Sequence, residues 1–353
     1  MKTSVLLLGQ HPPDELKALI DLTEALRYDA LWYADERFYR EVYVGLTLAA
    51  LRTKRIALGT LVTDPYSRHP SMTAAAIVSL AELAPGRVIL GLGAGGSGFQ
   101  AMGIQRKSPV VALREATELI RRLLAEPRVT YSGQVIRFHD GWLDFKAVGS
   151  VPIYIASSGR KILTLAGEIA DGICIGSVAS NLGLQVALSH IREGALAAGR
   201  RVDSIDIIAR LDLAIGADRQ AAYAVAKPMI NYGLWFGYGE FEKSFLDYDP
   251  HAPEWQIPEA LLVELAKRDW SRVEPTAHLV PDALVPQSAL AGTLEDVVQN
   301  TLRIARLGID HFTIYPLPIP GDPIGGTFAS QIELFATEVR PRVEATLRQE
   351  GGG

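Results

Sequence analysis

Short apolar runs alternate with longer amphipathic stretches along almost the whole of this 353-residue chain. Val5-Leu6-Leu7-Leu8, stopped by Gly9, reads as a strand buried on both faces. A helix over 13–28 follows. Asp14 stands where an N-cap would, and Leu16, Leu19, Ile20 and Thr23 recur at helical spacing. The same unit returns as strand 30–34 with helix 41–52, strand 56–62 with helix 70–84, and strand 88–92 with helix 109–125. After a pause come strand 153–156 with helix 160–170, strand 172–175 with helix 181–199, strand 205–213, and strand 311–315 with helix 327–348. Strands alternating with helices build parallel sheets. Eight such units without a linker predict an α/β fold, a single (β/α)8 TIM barrel over residues 1–353, in preference to a doubly wound sheet.

Two stretches break the alternation. Residues 127–148, with turns at Ser132-Gly133 and Asp140-Gly141, read as a small β insertion after the fourth strand. Residues 215–290 read as a helical and loop insertion before the eighth, at the level where a lid would sit. Their aromatic run Asn231-Tyr232-Gly233-Leu234-Trp235-Phe236-Gly237-Tyr238 suggests an apolar or planar substrate held by Trp235 and Tyr238, or the packing of a lid or interface.

Composition narrows the function classes. A hydrophobic fraction of 48% can bury a sizeable core, and a net charge of −5 without a dense basic run argues against nucleic acid as a partner. The lone Cys174 excludes a disulfide framework and any cysteine-built metal or iron–sulfur site. The seven histidines form no metal-binding pair, so no metal is expected. The first apolar run ends too early for a signal segment, and no run is long enough to span a bilayer. A cytoplasmic protein without membrane association is expected.

Active sites of (β/α)8 barrels lie at the C-terminal ends of the strands, which confines the search to a few loops. Asp35 and Glu36 after the second strand are candidate acid/base residues or a polar rim, with Arg37 beside them to hold either one ionised. The glycine-rich loop Gly91-x-Gly93-Ala94-Gly95-Gly96 follows a fourth strand rather than a first, so it lacks the context of a dinucleotide fingerprint. It reads as a tight turn or as backbone approached by a flat ring. Ser157-Ser158-Gly159-Arg160-Lys161 opens a helix, where free N–H groups and the helix dipole favour a phosphate over a plain capping serine. Gly176-Ser177 ends the sixth strand. His69, just before a helix, reads as structural; His311 opens a strand at the end away from the loops; His11 precedes a turn.

Several of these segments resemble one family. They are Asp35-Glu36-Arg37-Phe38-Tyr39-Arg40-Glu41-Val42-Tyr43, Leu58-Gly59-Thr60-Leu61-Val62-Thr63-Asp64-Pro65-Tyr66-Ser67-Arg68-His69-Pro70, the stretch from Gly86-Arg87 to Gly95, Ala101-Met102-Gly103-Ile104, and Ala166-Gly167-Glu168-Ile169-Ala170-Asp171-Gly172. Together they are similar to the bacterial luciferase-like superfamily, nearest its methylenetetrahydromethanopterin reductase branch, which uses the deazaflavin coenzyme F420. The similarity is dense over residues 1–200 and weak over 215–290. It implies a dimeric barrel with the ring in its mouth, supported by a bulge with a non-prolyl cis peptide after the third strand, here Leu61-Val62. It also implies cofactor contacts at Asp35, Thr63, Gly93, Ala94, Gly95, Ser158, Gly159, Gly176 and Ser177, with the phosphate near Ser157 to Arg160. The reductase branch carries a glutamate where this chain has Leu6 and an aspartate where it has Gly96. Both carboxylates belong to that branch's active site, so the resemblance implies a different reaction here.

The expected activity is hydride transfer between the deazaflavin and an organic substrate, with Asp35 or Glu36 holding polar ring atoms or supplying a proton. The alternative on the same fold is an FMN-dependent monooxygenase served by a partner flavin reductase. A non-catalytic ligand-binding barrel is the third reading.

Overall fold

The computed structural model describes residues 1–96, 98–145, 149–236 and 274–351. Eight parallel strands follow one another in the order of a (β/α)8 barrel: β1 (Lys2–Leu7), β2 (Ala30–Tyr33), β3 (Ala57–Thr60), β4 (Val88–Leu92), β7 (Ile153–Ala156), β8 (Gly172–Gly176), β9 (Asp206–Ile215) and β11 (His311–Pro316). This is the architecture expected from the alternation. Two further strands, β5 (Val129–Ser132) and β6 (Arg137–Gly141), pair antiparallel as a hairpin within 127–148. A short parallel strand not expected from the sequence, β10 (Ala289–Gly292), pairs with the end of β9.

The chain divides into two compact units, one of Ser4–Cys174 with His190–Asp206, the other of Met1–Thr3, Ile175–Ser189 and Ile207–Gly353. In the first, β1 to β4 and then β7 and β8 pair in sequence. Ser4 aligns with Ala30, Ala30 with Ala57, Leu58 with Val88, Leu90 with Ile153, and Tyr154 with Gly172. These strands read as continuous apolar runs because both their faces are buried, as in parallel sheets generally. Trp32 is fully buried and donates its indole N–H to Ser4 Oγ at 3.0 Å. Its ring takes the space beside Gly59, where a Cβ would lie 2.5 Å from the indole.

Local chemistry corrects one detail. Asp14 does not cap the first helix, which spans Pro13–Ala25. Pro13, with no N–H to satisfy, occupies the first turn, and Asp14 pairs instead with Lys17 at 2.9 Å.

Buried or half-buried carboxylates secure two further loops. Glu115, nearly buried on the helix Pro109–Ala125, accepts the amides of Gln134, Val135 and Ile136 at 2.6, 2.9 and 2.8 Å and so docks the turn of the hairpin. Glu24 accepts the amides of Lys54, Arg55 and Ile56 at 3.0, 3.0 and 3.1 Å, at the entry to β3. Partial burial works to raise its carboxyl pKa, but the three N–H donors outweigh burial and hold it below the ordinary 4.5. A depressed pKa means that this contribution is complete above about pH 4.5 and lost as pH falls through the lower folded-state value. Glu24→Gln is expected to cost about 1 kcal/mol in urea unfolding at neutral pH. The gap from the parent should narrow in acid; a gap that stays constant down to strongly acidic pH would contradict this assignment.

In the second unit β9 lies between β10 and β11. Asp212 aligns with Ala289 on one side and with Tyr315 on the other. Of the stretch 215–290, the described part holds the helix Arg219–Phe236, a 3-10 segment Glu274–Leu279 and short turns leading into β10. Tyr238 and the side chain of Trp235 lie outside the described residues, so the structure does not place the two substrate candidates.

Candidate active site

Strand β3 stops at Thr60, two residues short of the expected end; the Leu61 amide still donates to Tyr33 O at 3.0 Å, and the peptide between Leu61 and Val62 is cis. This is the position the resemblance indicated. Thr63 then rejoins the sheet: its amide donates to the Gly91 carbonyl at 3.0 Å, and its carbonyl accepts the Gly93 amide at 2.9 Å. Thr60 Oγ1 donates to Gly91 O at 2.8 Å and accepts from Gly91 N at 2.9 Å. The segment Thr60–Thr63 is thereby fastened to the glycine loop. Close approach requires the glycines: a Cβ at Gly91 would lie 2.1 Å from the Thr60 carbonyl oxygen, and one at Gly93 would lie 2.4 Å from Val62 Cγ2. Arg106 steadies the far side of the loop by donating to Gly95 O at 3.1 Å.

Asp35 leaves the end of β2 and meets this segment. Its Oδ2 accepts from Thr63 Oγ1 at 2.6 Å, and its Oδ1 lies 3.0 Å from Arg37 Nη1. Thr63 and Arg37 both give to it, which makes Asp35 an acceptor with lone pairs left for a ligand N–H. The other arm of Arg37 pairs with Asp64, whose side chain is 1% exposed against 10% for Arg37. Asp64 also accepts the amides of Tyr66 and Ser67 and the Ser67 hydroxyl, each at 2.8 Å. The Arg37 guanidinium lies 5.9 Å from the Phe99 ring centroid. Arg37 therefore serves two carboxylates at once. Glu36 is half-buried beside Asp35, and its carbonyl accepts the Tyr39 amide at 3.3 Å.

At the end of β7 the Ser157 amide donates to Cys174 O at 3.0 Å, and Ser157 Oγ accepts the Gly159 amide at 2.9 Å. That hydroxyl shapes the turn and occupies one of the amides that an anion would use. The opening N–H groups of the helix Arg160–Ile169 follow, with Arg160 and Lys161 exposed. Among the described residues, a side chain at Gly159 would meet only Ser157 Oγ, at 3.5 Å.

In the second unit Ser177 follows Gly176 with φ +56°, a left-handed conformation rare outside glycine. Its amide donates to Arg210 O at 2.9 Å, and its Oγ accepts from Arg210 Nη1 at 3.0 Å. Arg210 Nη2 lies 2.9 Å from Asp212 Oδ1, and Asp212 is 2% exposed. Burial pushes the Asp212 carboxyl up, and Arg210 opposes that rise. Arg210 and Asp212 escaped the sequence reading, as did the partnership of Arg37 with Asp64. The available signal was two opposite charges two residues apart in the apolar strand 207–215, a spacing that puts both on one face.

The histidines are structural where the structure shows their bonds. His69 precedes the helix Pro70–Leu83 and accepts its Ser71 amide at 3.2 Å, while Nε2 lies 3.1 Å from the Arg137 carbonyl of the hairpin. His11 is buried with Nδ1 3.3 Å from Glu15; burial lowers its pKa and Glu15 opposes this. Among the described residues, no three His, Cys, Asp or Glu side chains group so as to hold a metal ion, and no helix is long and apolar enough to cross a membrane.

A family model described as luciferase-like monooxygenase matches residues 1–311. The chain is 32% identical over 332 residues to a 5,10-methylenetetrahydromethanopterin reductase of Archaeoglobus fulgidus, covering 94% of this chain and 96% of that one. It is 33% identical to the Methanolobus tindarius protein of the same name, over 90% of this chain and 93% of the other. The solved coenzyme F420-dependent tetrahydromethanopterin reductase of Methanopyrus kandleri superimposes with a TM-score of 0.79 at 26% identity, covering 97% of this chain and 99% of its own.

Proposed function

This chain belongs to the luciferase-like monooxygenase family, and from that premise we propose that it is a coenzyme F420-dependent oxidoreductase acting on a small organic substrate. The observation that carries the reading is Asp35, an acceptor already fed by Thr63 and Arg37, set where the glycine loop is fastened to the segment after β3. Such a loop suits a flat ring laid against backbone. The residues present fit the deazaflavin. Asp35 would accept from a ring N–H, Leu61 and Val62 would support the ring, and Gly93, Ala94 and Gly95 would lie along its edge. Ser158, Gly159 and Arg160, with Ser157 shaping their turn, would take the phosphate through the open helix N-terminus. Gly176 and Ser177, at the end of β8, are proposed as further cofactor contacts; among the described residues, a side chain at Gly176 would meet nothing within 4 Å.

The deazaflavin supplies the hydride donor or acceptor carbon. The protein's part is to bind, orient and exclude water. Glu36, half-buried beside Asp35, is the proposed proton carrier, since Asp35 is committed as an acceptor. Trp235 and Tyr238 are proposed to contact the substrate. Leu6 is a buried apolar residue of β1 and Gly96 has no side chain, so neither can act as a carboxylate. The substrate is therefore proposed to differ from that of the methanopterin reductases.

Titration of the apo-protein with the deazaflavin and with FMN, followed by fluorescence, tests the reading. Tight binding of the deazaflavin is expected. A preference for FMN would transfer the protein to the monooxygenase reading that the family description favours, and binding of neither would leave a non-catalytic barrel. Arg160→Ala should weaken deazaflavin binding about threefold at low salt, less at high salt, as suits an exposed cation. An unchanged dissociation constant would remove Arg160 from the phosphate site.

We further propose a homodimer. Val44 and Leu51 are 69% and 70% exposed, seven residues apart on one face of the helix Val42–Arg52. Met72 and Leu83, 59% and 47% exposed, lie eleven apart on the helix Pro70–Leu83. Exposed apolar stripes on consecutive helices suit a second copy of the chain. Sedimentation should find a dimer, and Leu51→Glu with Met72→Glu a monomer; a parent monomeric at micromolar concentration would refute the proposal.

A further inference from the structure

The ion pair of Arg210 and Asp212 has no part in the function proposed above. The remaining residues of 207–215 are apolar, and burying two charges among them is costly unless they are used. Arg210 grips Ser177 twice: its carbonyl accepts the Ser177 amide at 2.9 Å, and its Nη1 donates to Ser177 Oγ at 3.0 Å. Its other nitrogen is anchored on Asp212 at 2.9 Å, and the face of the guanidinium lies 5.3 Å from the Tyr315 ring centroid. The three contacts of the guanidinium, with Ser177 Oγ, Asp212 and the Tyr315 ring, fix the fork in one orientation.

A guanidinium has donors only, so Ser177 Oγ must be the acceptor in their bond. The hydroxyl proton is then left to point elsewhere, and accepting from a cation strengthens it as a donor. Ser177 is half-buried and follows Gly176, where a side chain would meet nothing within 4 Å among the described residues. We propose that Arg210, held by Asp212, is a positioning residue that sets Ser177 as a hydrogen-bond donor to an acceptor oxygen of the bound cofactor. The inference rests on the reading that Ser177 touches the deazaflavin.

The test is a double-mutant cycle read as deazaflavin affinity, with thermal unfolding by circular dichroism as the check on folding. Ser177→Ala and Arg210→Gln should each weaken binding about tenfold, and the double variant no more than about tenfold. Arg210→Lys, which keeps the charge beside Asp212 but lacks the fork, should behave like Arg210→Gln. Ser177→Thr, which keeps the hydroxyl, should retain most of the affinity. A loss in the double variant equal to the product of the single losses would show that Arg210 acts independently of Ser177 and would overturn the inference. So would weakened binding in Ser177→Ala with parental binding in both Arg210 variants. Parental binding in Ser177→Ala would instead overturn the reading of Ser177 as a cofactor contact. Repeating the cycle with a phosphate-free deazaflavin core identifies the acceptor: a loss that persists assigns a ring oxygen, and one seen only with the full coenzyme assigns the phosphate.

Discussion

Arg37→Gln is expected to cost about 3 kcal/mol of stability and most of the affinity for the deazaflavin. Arg37 is the cation facing Asp35 and Asp64, and Asp64 is 1% exposed. Removing one partner of a buried pair leaves the other charge without compensation, which costs far more than the intact pair contributes. Asp64 keeps the amides of Tyr66 and Ser67, so the loss should fall at the low end of the range for such pairs. Neutralising the stranded charge is therefore expected to restore stability: Arg37→Gln with Asp64→Asn should unfold in urea nearer the parent than Arg37→Gln alone. Binding should not recover with it, because Asp35 still lacks one of the two donors that orient it. A single variant as stable as the parent would mean that the two carboxylates are satisfied without Arg37.

The second large effect is expected at Gly91, away from any charge. A Cβ there would lie 2.1 Å from the Thr60 carbonyl oxygen, and backbone cannot swing aside as a flexible side chain can. Gly91→Ala must push β3 from β4 at the point where Thr60 Oγ1 bridges them, immediately before Leu61-Val62. The expected loss is about 3 kcal/mol, as for overpacking of a rigid interior, with deazaflavin binding lost as well. Gly159→Ala is the contrast. Its added Cβ would meet one atom at 3.5 Å and its φ is −85°, so stability should stay within about 0.5 kcal/mol of the parent. Equal melting temperatures for Gly91→Ala and the parent would show that the strands yield at this junction.

The candidate residues of the proposed site could be listed from the chain, though not their wiring. Asp35, Thr63 and the glycine loop were identified because strand ends in this fold carry the chemistry and because the surrounding segments resemble a known family. The same resemblance located the cis peptide at Leu61-Val62. Arg37 was read as a neighbour of Asp35, but nothing nearby in sequence pointed to Asp64, which belongs to the loop after a different strand. Arg210 and Asp212 were passed over because a strand pattern is judged by its apolar majority. Ser157 was read as part of the anion loop, but that its hydroxyl accepts the Gly159 amide could not be read from the chain.

The sequence alone determined the alternation of eight strands with helices, the hairpin within 127–148 and the strand-end loops in which a site was sought. These follow from periodicity, turn residues and strand ends, all of which are local properties of the chain. Tertiary structure alone decided that Arg37 binds two carboxylates, that Glu115 docks the hairpin, that β10 pairs beside β9, and that Arg210 donates to the Ser177 hydroxyl oxygen. Each depends on strand register and on the direction of a long side chain. Those are settled only when residues distant in sequence are brought within hydrogen-bonding distance, because no local preference specifies which distant donor a buried acceptor will meet.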